Sequence, residues 1–151
     1  MINVKISSRL EATMAMMVFR LKRDGVTTCY VDRLVAELIA DNTTFASIVT
    51  NLALGAKGKD AVYKRITEIA DNSSAPERNE PEQLFKQLCQ RLYAQSEAKS
   101  LSSVHVLCWA LRNASSATAQ AFRERGVIAE EVVDVVYQLV SGEYGNKTHI
   151  E

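Results

Sequence analysis

Apolar residues recur at steps of three and four along most of this chain, which is the period of a helix that buries one face. The first such stripe consists of Leu10, Met14, Met17, Val18 and Leu21. Ser8 and Glu11 have the spacing of a capping box, and Gly25 suits the position just after a helix end. The pattern therefore predicts a first helix of four to five turns.

The same period predicts eight helices in all and no strand of consequence. The other seven are expected near 31–40, 44–54, 60–69, 81–92, 103–112, 116–125 and 129–140. In the third helix the residues expected to face inward are Phe45, Ile48, Val49 and Leu52. In the eighth they are Val132, Val133, Val136 and Leu139. A chain built only of amphipathic helices and polar connections is typical of an all-α fold.

Two stretches of the chain resemble each other at an offset of 72 residues as far as the turn, after which one residue of slack sets Ala46 and Val49 against Ala119 and Phe122. Cys29–Leu52 and Ser100–Val127 both run from an apolar helix through a polar turn into a second helix. The turn is Asp41–Thr44 in the first stretch and Asn113–Ser116 in the second. Because repetition of this length decides the architecture, we predict two tandem four-helix repeats with a pseudo-twofold relation.

The repeat pattern sets the expected organisation of residues 1–151 as one domain. We expect repeat one at 6–70, a linker at 71–81, repeat two at 82–141 and a tail at 142–151. Both prolines of the chain lie in the expected linker, among Asn, Ser and Glu residues. Each repeat is too short to bury much alone, so we expect a shared core and a groove between the copies.

Composition narrows the classes of function. The 18 Lys and Arg residues are balanced by 18 Asp and Glu residues, so no net charge draws the chain to nucleic acid or anionic lipid. Three cysteines without a CxxC pair indicate free thiols and a reducing compartment. With no signal-peptide pattern and no long apolar run, we expect a cytoplasmic protein.

Catalytic and cofactor motifs are weak in this sequence. The Gly55–Asp60 loop lacks the GxxxxGK[ST] spacing of a phosphate-binding loop. His105 and Cys108 stand three residues apart, but Cys108 falls on the apolar face, where an inert thiol is expected. The single tryptophan, Trp109, is expected to pack between the copies. We therefore expect no enzyme, no metal and no cofactor.

The paired stretches resemble the Clp N-terminal domain, a tandem repeat of four-helix units at the front of Clp-type AAA+ unfoldases. The family stretch is similar to Thr-x-Glu-His-Leu-Leu-x-Ala-Leu-Leu. Here the first copy reads YVDRLVAELI at 30–39 and the second reads SSVHVLCWAL at 102–111. The helix after the second copy closes on Gly126 and Val127, as in the family. The resemblance spans about residues 6 to 141.

The resemblance implies a non-catalytic module that docks substrates or adaptor proteins for a hexameric ATPase. The chain has no Walker motif, so the ATPase modules are expected elsewhere in the same full-length chain. Asp32, Val104 and His105 hold the family's groove-edge positions and are the expected protein contacts. Family members that bind phosphorylated arginine have an acid there in both copies. Val104 replaces the second acid, so a different protein partner is expected.

Two other functions remain open on the sequence alone. A free-standing helical adaptor would have the same fold without any attached ATPase. A helical DNA-binding regulator is suggested by the short polar turns between paired helices. The zero net charge speaks against the regulator, because duplex binding depends on cationic contacts to phosphates.

Overall fold

The computed structural model describes residues 5–72, 78–95 and 100–141, with no account of side chains after residue 136. We call residues 5–72 the first half and residues 78–141 the second half. Within the described residues there are seven helices and no strand longer than an isolated bridge. The helices are α1 (Ser8–Arg23), α2 (Val31–Ala40), α3 (Phe45–Asp71), α4 (Pro81–Gln95), α5 (Ser103–Arg112), α6 (Ala117–Glu124) and α7 (Ala129–Ser141). The prediction of an all-α fold is confirmed.

The third and fourth predicted helices are two parts of α3, and the loop predicted between them is a kink. Gly55 alone leaves helical geometry, with φ 76° and ψ 171°. That conformation is open to glycine at little cost. Three residues on, a Cβ at Gly58 would lie 2.7 Å from the Cβ of Leu54. The glycines of this stretch therefore serve a tight bend.

The start of α1 differs by one residue from the predicted capping box. Ser7 is the N-cap, and its hydroxyl oxygen accepts from the backbone N–H of Leu10 at 3.1 Å. Ser8 is the first helical residue. The hydroxyl of a serine before the first turn satisfies one of the helix's free N–H groups, and either neighbouring serine fits the sequence pattern.

The centre of the molecule is α2, which contacts α1, α3, α4, α5 and α6. Six consecutive residues of α2, from Leu34 to Ile39, are buried. A helix that is buried all round needs neighbours on every side, and α5 is nearly as enclosed. The shared core expected between the halves is therefore present around these two helices.

The two predicted turns have the same hydrogen bonds at an offset of 72 residues. Thr44 donates its hydroxyl to the carbonyl of Leu38 at 2.5 Å, and Ser116 donates to that of Ala110 at 2.6 Å. The same two oxygens accept from the N–H groups three residues on, at 3.1 and 3.0 Å. The turns thus match atom for atom, whereas the full tandem-repeat arrangement stays a prediction.

Two short bridges join the halves. Ser7 donates its N–H to the carbonyl of Leu101 at 2.7 Å, ahead of α1 and α5. Cys29 and Asn79 exchange two backbone hydrogen bonds of 2.9 and 3.1 Å, ahead of α2 and α4. Each bridge pairs the segment before one half's first helix with the segment before the other half's second helix. The halves are therefore connected in a reciprocal way.

The inward face predicted for the third helix is partly wrong. Val49 is buried, but Ile48 is 46% exposed and Leu52 is 71% exposed. The buried residues of this part of α3 are Ala46, Ser47, Val49 and Thr50, so the helix packs through a narrower and more polar stripe than its apolar residues suggest. In α7, Val132, Val133 and Val136 are buried as predicted. Leu139 and the tail lie outside the side chains and residues that the structure describes.

Candidate functional site

Asp32, a predicted partner contact, caps a helix of the other half. Its Oδ1 accepts from the backbone N–H of Thr118 at 3.2 Å and from the Thr118 hydroxyl at 2.9 Å. Thr118 lies in the first turn of α6, where N–H groups have no helical partner. A carboxylate there also meets the positive end of the helix dipole. Asp32 therefore joins α2 to α6.

Ser103 makes the reciprocal contact, which the sequence analysis missed. Its hydroxyl oxygen accepts from the backbone N–H of Ala46 at 2.9 Å. Ala46 and Thr118 are both the second residue of their helix, at an offset of 72 positions. Sequence periodicity assigns serine before an apolar run to its own helix, so nothing in the pattern points to a cap on a distant one.

Val104 and His105 lie next to each other in the first turn of α5. Val104 is 2% exposed, so it offers a partner very little surface. His105 is half-buried, and its Nδ1 accepts from the backbone N–H of Ser102 at 2.9 Å. This bond forms a capping box at the start of α5. The role of these residues and of Asp32 in partner binding stays a prediction.

A second candidate is a groove between α1 and α4, the first helix of each half. Its lining residues are Glu11, Met14, Ala15, Val18, Glu82 and Phe85, and its volume is about 350 Å³. We call it the α1–α4 groove. Met14 is buried at its base, while Val18 and Phe85 are half-buried on its walls. The centre of the groove is thus apolar, with one carboxylate contributed by each helix.

Two exposed apolar side chains lie on α1 outside the lining of this groove. Met16 is 56% exposed and Phe19 is 62% exposed, and each follows a lining residue by one position. At the end of α1, Lys22 Nζ lies 2.5 Å from Glu82 Oε1, and this hydrogen bond raises the pKa of Lys22. The groove and its margin form an apolar surface with a charged rim, the usual anatomy of a protein-binding patch.

A third candidate is the cavity beside Trp109, which we call the Trp109 pocket. Trp109 is half-buried, and Val31, Leu84 and Leu88 also line the cavity. It opens between the start of α2, the segment before α4, and helices α4 and α5. Trp109 therefore packs against the core and also lines a cavity of about 350 Å³.

Glu37 is a buried carboxylate that accepts hydrogen bonds from three side chains. It is 8% exposed and accepts from Arg20 at 3.0 Å, Arg33 at 3.3 Å and the Tyr63 hydroxyl at 3.2 Å. Burial, followed by the charge of Glu37, raises the pKa of Tyr63. A buried charge needs such compensation, so the cluster links α1, α2 and α3 without leaving a free group for chemistry.

The thiols are buried and unactivated. Burial raises the pKa of Cys89 to about 12 and that of Cys108 to about 11, and it also raises the pKa of Cys29. Since the thiolate is the nucleophilic form, these groups are poor nucleophiles at neutral pH. No three His, Cys, Asp or Glu side chains converge as a metal site within the described ranges.

No protein-family model, no curated protein and no solved structure matches this chain. The resemblance to the Clp N-terminal domain therefore depends on the residues quoted above. Among helices of the described residues, none has both the length and the apolar character that a bilayer crossing requires.

Proposed function

We propose that this chain is a non-catalytic protein-docking module of the Clp N-terminal type, which binds apolar segments of partner proteins in the α1–α4 groove. The observation that carries the proposal is the exposure of Met16 and Phe19 on α1, the helix that forms one wall of the apolar groove. Met16 and Phe19 are neighbours on the helix surface, three residues apart, and contiguous exposed apolar side chains mark interaction sites. Methionine also adapts its shape to varied partners, which suits a module that meets many clients.

The size of the surface indicates weak docking. Burying a fully exposed Phe or Met side chain is worth about 1.5–3 kcal/mol, so these two half-exposed residues contribute about 2–3 kcal/mol together. That is small for a stable one-to-one complex. A hexameric assembly would present six such modules to one client, and linked weak contacts then gain affinity through effective concentration. Weak individual docking therefore fits a module carried by an oligomeric unfoldase.

The proposal includes the tandem-repeat architecture. In it, α1, α2 and the two parts of α3 form repeat one, and α4 to α7 form repeat two. The matched turns, the reciprocal bridges and the reciprocal caps from Asp32 and Ser103 support a pseudo-twofold relation. Such reciprocity is what an isologous pairing of two similar units produces.

The full form of the proposal places the module with a Clp-type ATP-dependent unfoldase in the cytoplasm. The module captures a protein substrate or an adaptor, and ATPase modules of the full-length chain do the mechanical work. Asp32, Val104 and His105 stay the predicted family contacts, although the α1–α4 groove has more exposed apolar surface. A free-standing adaptor would use the same groove in the same way.

The test is binding to a permanently unfolded protein, for which reduced and carboxymethylated α-lactalbumin labelled with a fluorophore is the probe. Fluorescence anisotropy should report binding by the natural chain. Phe19→Glu should weaken it at least about tenfold, because a charge replaces an apolar contact worth about 1.4 kcal/mol or more.

The matched control is Leu52→Glu. Leu52 is, like Phe19, a large exposed apolar residue of a helix, but it lies on α3. It should bind the unfolded probe like the natural chain. Equal losses in both variants would mean non-specific hydrophobic binding. Undiminished binding by the Phe19 variant would remove the α1–α4 groove from the proposal.

A further inference from the structure

The Trp109 pocket combines an apolar floor with a cationic rim. Its apolar lining consists of Val31, Leu84, Leu88 and Trp109, and its polar lining consists of Arg78, Asn79, Gln87 and Arg91. None of the lining residues is acidic. The volume of about 350 Å³ lies at the low end of the range for ligand sites, which suits one or two side chains of a peptide better than a cofactor.

The charged groups of the rim are two arginines, Arg78 and Arg91. Arg78 lies 5.1 Å over the ring of Tyr30 and donates to the carbonyl of Thr28 at 3.3 Å. Both contacts hold the guanidinium in place without cancelling its charge. Within the part of the chain that the structure describes, neither Arg78 nor Arg91 forms an ion pair with a carboxylate. Two exposed cations therefore face one small cavity.

The backbone beside the pocket is fixed. The paired hydrogen bonds between Cys29 and Asn79 tie the segment before α4 to the segment before α2. Arg78 and Tyr30 are the immediate neighbours of these two residues, so the bridge also sets the stacking of the guanidinium on the ring. A site whose charged groups are held before the ligand arrives loses less entropy on binding.

We propose that the Trp109 pocket binds an acidic peptide segment that inserts one large apolar side chain against Trp109 and directs its carboxylates to Arg78 and Arg91. Charge complementarity selects this occupant, because both charged residues of the lining are arginines and the apolar residues lie together with Trp109. Arginine is suited to carboxylates through paired N–H donors. The pocket shares no lining residue with the α1–α4 groove, so this site goes beyond the proposed function and either one can fail alone.

Trp109 is the only tryptophan of the chain, so it is a built-in reporter. The probe is the acetylated and amidated peptide DEFED, which carries four acids and one phenylalanine. The matched peptides are NQFQN, which lacks the charges, and DEAED, which lacks the aromatic anchor. Binding is followed by Trp109 fluorescence and by the single indole N–H signal in a nitrogen–proton NMR spectrum.

We expect DEFED to bind at least about tenfold more tightly than either matched peptide. Arg78→Gln and Arg91→Gln should each weaken DEFED binding by up to about fivefold, the upper range for an exposed ion pair, and should leave NQFQN unaffected. The control variant is Lys86→Gln, which removes an exposed cation of the same helix outside the pocket lining. Circular dichroism checks that each variant is folded.

Each of the following results either supports or overturns the proposal. Weaker DEFED binding in the two arginine variants, with unchanged binding in the Lys86→Gln and Phe19→Glu variants, supports it, and unchanged binding in both arginine variants overturns it. Equal binding of DEFED and NQFQN, or no binding of DEFED at millimolar concentration, overturns it. Tighter binding of a pentathymidylate than of DEFED also overturns it, since a base stacked on Trp109 with phosphates on the arginines would then be the better occupant.

Discussion

In the first half, the carboxylate of Asp32 reaches across to cap α6, whereas in the second half the hydroxyl of Ser103 reaches across to cap α3. Both acceptors meet the second residue of the target helix. The capped position of the target helix is therefore the same in both directions. The capping residue differs, because Asp32 is the second residue of α2 and Ser103 is the first residue of α5. Similar contacts between the halves are thus made by different residues.

Corresponding core positions of the two halves differ more strongly, because their side chains differ in size. Phe122 and Thr50 correspond at the offset of 72 residues, and both are fully buried. Phe122→Ala should lower the free energy of unfolding by about 3–5 kcal/mol, the usual cost of a large cavity. Thr50→Ala should cost about 1 kcal/mol, because it removes one hydroxyl bond to Ala46 and little volume. Urea unfolding measures both, and similar costs would contradict this division of the core.

The matched turns should respond alike. Thr44→Ala and Ser116→Ala each remove an N-cap and a bond to a buried carbonyl. Each should cost about 1–2 kcal/mol of unfolding free energy, and the two losses should agree within about 0.5 kcal/mol. Thermal or urea denaturation of the two single variants tests this. A difference above about 1.5 kcal/mol would show that the turns are not energetically equivalent.

The unfolding free energies lost on removing the two reciprocal caps should differ by a smaller amount. Asp32→Ala should cost about 1 kcal/mol or slightly more, because Asp32 accepts two hydrogen bonds and its charge meets the helix dipole. Ser103→Ala should cost about 0.5–1 kcal/mol, since one hydrogen bond is lost. Asp32→Ser is the matched control and should recover part of the loss. A larger cost for Ser103 than for Asp32 would reverse the ranking.

The smallest expected difference concerns pH. Burial alone would raise the pKa of Asp41, but hydrogen bonds from Thr43 and Thr13 lower the pKa below its usual value. This stabilisation is present above the unfolded pKa of about 3.9 and is lost as the pH falls through the folded pKa. The corresponding residue Asn113 does not titrate.

Asp41→Asn tests that difference. The natural chain should be the more stable above about pH 4, and the gap to the variant should close as the pH falls towards 2. Denaturation at several pH values measures the gap. A gap that is independent of pH would mean that the Asp41 carboxylate has no net stabilising role.

Much of the fold follows from hydrophobic periodicity. The helix bounds of α2, α5 and α7 agree closely with the predictions, because their apolar stripes are regular and strong. The kink at Gly55 was expected as a loop, since two glycines within four residues usually end a helix. Ile48 and Leu52 show the limit of periodicity, because an apolar helix face indicates burial but not whether a partner within the same chain supplies it.

The candidate surfaces were less predictable from sequence. The α1–α4 groove depends on which helices pack side by side, and the Trp109 pocket depends on a bridge between residues 50 positions apart, Cys29 and Asn79. Neither of these contacts between distant segments produces a pattern in the local sequence. The family resemblance directed attention to Asp32, Val104 and His105, two of which make helix caps and one of which is buried.

The most direct test of the docking proposal is a nitrogen–proton NMR titration of the labelled chain with unlabelled carboxymethylated α-lactalbumin. We predict that the backbone signals of α1 from Glu11 to Lys22 and of α4 from Glu82 to Lys86 shift or broaden first. The signals around Ile48 and Leu52 should stay in place. Perturbation confined to α3, or no perturbation at any ratio, would contradict the assignment of the α1–α4 groove as the docking site.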